Sequence, residues 1–304
     1  MKKKESVLKI LKIISALINI NKLIIITIPM IVGAAIAFNL HGVFSLSRFF
    51  LTVIAVYMLE FGRNLLFAFL NEDEFDLYNY SRVFKNINIK KNKKLYRILA
   101  ISFLSLGFLI NAIIVIFIEF KLIWIGTPLI LLAIFYTLPP LKLNCRGLGE
   151  ITFGTLFGPL ILLATFLIQA NTLSLPVIII SLPLGFLITN VLWIEKYPSF
   201  YFKVKGEDMN FIELLQQNGI IIYISLFVAN YAALALIMAI FNHLIWLLPF
   251  ISLPLVWKAV GSIKKYSNNI PELMRVNGKT IQIYKLTGIT MAISAVLDRI
   301  INIH

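Results

Sequence analysis

Nine runs of mostly apolar residues succeed one another along the chain, at 23–40, 47–70, 95–117, 120–138, 150–170, 174–195, 219–240, 243–260 and 283–302. Each is near the ~20 residues that a helix needs to cross a bilayer. Lipid offers nothing to an open backbone, so segments of this length must close their hydrogen bonds internally as helices. The composition agrees, because 60% hydrophobic and 14% charged residues over 304 positions is more apolar material than a soluble core needs. The sequence therefore predicts an all-α fold, a polytopic membrane bundle of nine transmembrane helices over 23–304 behind a separate segment at 1–22.

Residues 1–22 begin with lysines and continue into an apolar stretch, as a signal peptide would, but they lack a small-residue cleavage site and further spans follow. Lys9 and Lys12 interrupt the apolar residues, so the segment reads as an amphipathic helix on the membrane surface. Of the 28 lysines and arginines, 24 precede the first run or fall in alternate connections; Arg48, Lys121 and Arg299 fall on the other side, and Arg63 lies inside the second run. The positive-inside rule then predicts a cytoplasmic N-terminus and an external C-terminus. Orientation and anionic lipid headgroups account for most of the formal charge of +14, so nucleic acid is not implied. A single cysteine, Cys145, allows no intrachain disulfide, and His41, His243 and His304 show no metal-ligand spacing.

The long connections, 71–94, 139–149, 196–218 and 261–282, all fall on the cytoplasmic side. There FLNEDEFDLYNYSR (69–82) crowds Glu72, Asp73, Glu74 and Asp76 beside Arg82 and Lys85. If the helix continues, Glu72 and Asp76 stand one turn apart on one face. Two readings fit: a solvated helix end that neutralises lysines, or a site for Mg²⁺ and a phosphorylated ligand, since Mg²⁺ takes one or two carboxylates plus phosphate oxygens. Glu60 and Arg63, three apart inside the second run, form either a mutual salt bridge or a cavity-lining pair with Asn64. Arg146 and Glu150 in RGLGE are spaced to pair across one helical turn. Tyr136 is an interface anchor or a site-lining ring, Lys142 reads as a topology charge, and Asn190 as an interhelical hydrogen-bond residue.

The stretch YTLPPLKLNCRGLGEITFGTLFGPLILLATFLIQ (136–169) resembles the connection between the fourth and fifth helices of the UbiA superfamily of intramembrane prenyltransferases, especially its menaquinone-type branch. SLPLGFLITNVLWIEKYPSFYFKVKGED (181–208) resembles the sixth helix and following loop, and PELMRVNGKTIQIYKLTGITMAIS (271–294) the last connection and ninth helix. The resemblance implies a cytosol-facing site in which two aspartate-rich motifs hold Mg²⁺ and a prenyl diphosphate while the isoprenoid tail lies in an apolar cavity. Metals and cations stabilise the leaving diphosphate, and the carbocation alkylates a small acceptor, often an aromatic ring or a lipid-quinone precursor.

Both motifs depart from the family pattern. With N-x-x-N-D-x-x-D-x-x-x-D anchored on Arg82, Asn64 matches the first Asn, but Phe67, Ala68, Asn71 and Phe75 occupy the later positions. The second motif, N-E-x-P-D-x-x-x-D, becomes EKYPSFYFK, with Glu195, Ser199 and Lys203 in place of its Asn and two aspartates. On the leading reading, Glu72, Asp73, Asp76 and Glu195 hold the metal. Asn64, Arg82, Tyr136 and Arg146 then serve catalysis, and Lys142, Glu150, Tyr201 and Lys203 contact substrate, with Lys203 meeting the diphosphate directly as a point charge. The partners would be a prenyl diphosphate, a small acceptor and the lipids of the plasma membrane. Two further readings stand beside it: an inactive bundle that binds a lipid or isoprenoid, and a transporter or membrane-complex subunit.

Overall fold

The computed structural model describes residues 20–70, 93–137, 143, 148–203, 219–266 and 270–302. Among them the long elements are helices: α1 Ile20–His41, α2 Leu46–Leu70, α3 Lys93–Phe117, α4 Ile123–Thr137, α5 Gly149–Ala170, α6 Leu175–Lys203, α7 Gly219–Phe241, α8 Leu253–Tyr266 and α9 Ile270–Asn302. Short 3-10 stretches, Phe120–Leu122 and Leu244–Ser252, lead into α4 and α8. Eight helical segments among the described residues are long and apolar enough to cross a membrane, which makes this a multi-pass membrane protein.

Two elements differ from the hydropathy reading. The run at 120–138 yields an α4 of only 15 residues, with Pro128 inside it, behind a 3-10 turn. The connection expected at 261–282 is mostly helical, because α8 continues to Tyr266 and α9 begins at Ile270. The first turns of α9 are polar yet well formed. Glu272 sits in the first turn, where the helix dipole favours a carboxylate, and it accepts a 2.6 Å bond from Arg275 one turn on. The N-terminal segment 1–19 lies outside the described residues.

The chain divides into two compact units, Met1–Ile24 with Leu46–Phe120 and Ile25–Ser45 with Lys121–His304. In the first, α2 and α3 pack through reciprocal glycine–leucine contacts. A Cβ on Gly62 would come within 2.6 Å of Leu104 Cγ, and one on Gly107 within 2.8 Å of Leu59 Cδ2. These pairs set an antiparallel register, and Phe61 meets Phe103 edge-on at 6.1 Å. Much of the rest of α3 is exposed, since only 17% of Lys94–Phe117 is buried.

In the second unit α6 is the most enclosed helix, most of Leu175–Glu195 being buried. Helices in lipid gain little from the hydrophobic effect and instead gain by close packing at small residues. Here a Cβ on Gly158 of α5 would lie 2.6 Å from the Gly185 nitrogen of α6. The middle of α5, Leu156–Leu160, is a π-helical turn containing Pro159. Proline has no N–H to donate and its ring crowds the carbonyl one turn back, so a widened turn accommodates it inside the membrane.

Three helices of this unit end on a left-handed or positive-φ residue: Gly42 after α1 (φ 69°), Asn171 after α5 (φ 57°) and Asn242 after α7 (φ 52°). Each donates its N–H back to a last-turn carbonyl, at 2.9, 2.8 and 2.8 Å respectively. The reversal at Asn242 leaves His243 extended, which aims its ring at Asp298 near the end of α9. Asp298 is 3% exposed and accepts from His243 Nδ1 at 2.5 Å, Asn39 Nδ2 at 2.9 Å and Trp246 Nε1 at 3.4 Å. Asn39 also donates to the Ala295 carbonyl at 2.8 Å, so α1, the 3-10 stretch and α9 meet at one carboxylate.

Candidate active site

The start of α5 carries the densest set of sequence-predicted residues that the structure describes. Glu150 lies in its first turn, where the helix dipole favours a negative charge, and its side chain is 1% exposed. One turn on, Phe153 takes Tyr136 from the end of α4 on one side, centroids 6.0 Å apart, and meets Phe157, tilted by 32°, at 4.1 Å on the other. A buried carboxylate thus opens an aromatic strip that continues into the π-turn. Such a strip is apolar along its length and offers π faces to a cation.

Thr189 and Gly185 of α6 face Gly154 and Gly158 of α5 in antiparallel register. Carried back one turn, that register brings Glu195 of α6 to the same end of the helix pair as Glu150. Two bonds to α7 hold this part of α6: Asn190 Nδ2 donates to the Tyr223 carbonyl at 3.1 Å, and Trp193 Nε1 to the Gly219 carbonyl at 3.0 Å. The expected interhelical role of Asn190 is therefore what is found. Glu195, half-buried, closes the apolar part of α6, and Tyr201 and Lys203 belong to its last turns, their side chains outside those described.

In the other unit, Asn64 stands on α2 in a local network. Arg63 donates to Glu60 through Nε at 2.8 Å and Nη2 at 2.6 Å, and through Nη2 to Asn64 Oδ1 at 2.9 Å; Asn64 Nδ2 donates to Glu60 Oε1 at 3.1 Å. The salt-bridge reading of Glu60 and Arg63 is thus realised, with Asn64 as its third member.

Glu72, Asp73, Asp76, Arg82, Lys142 and Arg146 lie outside the described residues. Among the described residues no group of three or more His, Cys, Asp or Glu stands together as a metal centre. Glu195 nevertheless offers the hard oxygen donors that Mg²⁺ prefers, and Mg²⁺ takes only one or two carboxylates when phosphate completes its shell. Sequence reasoning passed over Phe153 and Phe157. Their spacing of four beside RGLGE was the available signal, since it places both rings on one helix face.

No family model matches the chain, and no curated protein does. A solved structure described as giving insight into the biosynthesis of digeranylgeranylglyceryl phosphate synthase in membranes is similar over 95% of this chain and 99% of its own, with a TM-score of 0.66 and 18% identity. At this identity the likeness shows the fold alone, and that fold is UbiA-like.

Proposed function

We propose that the chain is an intramembrane prenyltransferase that moves a prenyl group from a prenyl diphosphate to a small acceptor at the cytoplasmic face of the plasma membrane. The observation that carries this reading is the end-to-end likeness in fold to a membrane prenyltransferase. The aromatic strip Tyr136–Phe153–Phe157 beside Glu150 supports it with chemistry.

In the reaction the C–O bond of the allylic diphosphate breaks, its electron pair leaves with the diphosphate, and an acceptor nucleophile bonds to the allylic carbon and loses a proton. The rings of Tyr136 and Phe153 suit the transient cation. Lys203 and Arg82 suit the departing anion, to which ammonium and guanidinium groups bind through charge-assisted hydrogen bonds. Glu195, with Glu72, Asp73 and Asp76, would hold Mg²⁺; when bound, the ion would neutralise charge building on the diphosphate. Lys142, Arg146 and Glu150, which lie between α4 and α5 in the chain or at the start of α5, would complete the polar end of the site.

Equilibrium binding of geranylgeranyl diphosphate to the full chain in nanodiscs, with Mg²⁺ and with EDTA, tests the reading. Metal-dependent binding that Glu195→Ala weakens at least tenfold is expected, followed by transfer to an acceptor in a screen of small aromatic and hydroxylated compounds. Binding without any transfer would favour the isoprenoid-binding reading, for which the displaced aspartate motifs speak. Absence of binding under both conditions would reject the enzyme.

A further inference from the structure

The middle of α7 holds an amide that no protein group meets. Asn230 is 0% exposed, and neither its Nδ2 nor its Oδ1 has a hydrogen-bond partner among the described residues. An amide buried this way forgoes the bonds that solvent would give it, which is costly inside a membrane. The helix pairing shows what stands opposite.

Asn190 and Trp193 of α6 donate to the Tyr223 and Gly219 carbonyls of α7, so α7 runs forward as α6 runs back. Gly219, Tyr223 and Asn230, at spacings of four and seven, form one buried stripe of α7. Seven residues before Asn190, and therefore on the same face of α6, is Pro183, which is buried and inside the helix. The antiparallel register brings Pro183 and Asn230 to one level. Proline has no N–H, so the carbonyl four residues back, that of Ile179, receives no helix bond from it. A backbone acceptor released by proline and an amide with unused bonding capacity thus share one level of one interface.

We propose that an ordered water molecule bridges α6 and α7 here, hydrogen-bonded to the Asn230 amide and donating to the Ile179 carbonyl. Both groups are neutral, so the occupant is neutral too, and complete burial admits nothing larger than water. Ordered waters are one of the ways in which backbone groups freed by proline are satisfied in membrane helices. The bridge holds α6, the helix that carries Glu195, against α7, and it does so whether or not a prenyl group is transferred.

The test is a structure of the full chain in nanodiscs at a resolution that shows waters, together with thermal unfolding of variants. A water peak within hydrogen-bond distance of both the Asn230 amide and the Ile179 carbonyl is expected. Asn230→Leu should lower Tm in the wild-type background. It should do so much less beside Pro183→Ala, whose restored N–H takes up the Ile179 carbonyl. A Tm that Asn230→Leu leaves unchanged or raises would overturn the proposal, as would an equal loss in both backgrounds. So would density that places the Asn230 amide directly on the Ile179 carbonyl, that shows a larger ligand, or that shows no water. If Asn230→Leu does not fold, the wild-type density decides alone.

Discussion

Glu60 and Asp298 are both carboxylates sunk among apolar helices, 4% and 3% exposed, yet they are satisfied in opposite ways. Among the described residues, the hydrogen bonds to Glu60 come from Arg63 and Asn64, within four residues on α2. Asp298 takes its bonds from Asn39, His243 and Trp246, which are 259, 55 and 52 residues away in the chain. In a membrane the unfolded reference is an inserted helix, since lipid already demands internal hydrogen bonding. The Glu60 network can form in that state and lowers the cost of putting charge into lipid. The Asp298 network exists only once three elements have converged, so its energy belongs to the fold.

The comparison predicts an order of effects. Asp298→Ala strands the donors of Asn39 and Trp246 and leaves His243 without its carboxylate. Losing a buried charged partner costs about 3–5 kcal/mol, and a correspondingly large drop in Tm of the reconstituted protein is expected. Asn39→Ala removes two buried bonds but keeps the carboxylate paired with His243, so a loss of about 1–3 kcal/mol should follow in the same assay. The smallest change is expected from Glu60→Leu/Arg63→Leu. It deletes a network that the inserted helix makes by itself, and replacing a buried ion pair by apolar groups should shift stability by no more than about 1 kcal/mol. A loss in that double variant as large as in Asp298→Ala would break the distinction. Single Glu60→Leu, which takes the carboxylate from Arg63, should then be clearly worse than the double.

The same distinction governs what could be read from the sequence. The apolar runs disclose the helices because lipid enforces length, and Glu60, Arg63 and Asn64 disclose their network because spacings of three and four become neighbours on a helix. Asp298 carries no local sign of its partners. Hydropathy also misjudged α9, since it measures fitness for lipid and not helicity: the polar stretch around Glu272 and Arg275 is helical beyond the apolar part. At the candidate site, Glu150 and Tyr136 were visible through a motif, whereas Phe153 and Phe157 join them only by geometry.

The π-turn at Leu156–Leu160 fits an extra residue into one turn of α5. An α-helix advances about 100° per residue, so each side chain after the turn is aimed roughly that far from where uninterrupted winding would send it. A chain one residue shorter at this place would keep the same hydropathy profile and the same number of crossings. It would nonetheless set Phe153 and the second half of α5 to different phases, and a hydropathy alignment would not notice. The inner wall of this bundle is therefore specified by residue count within one turn, a quantity that substitution alone cannot restore.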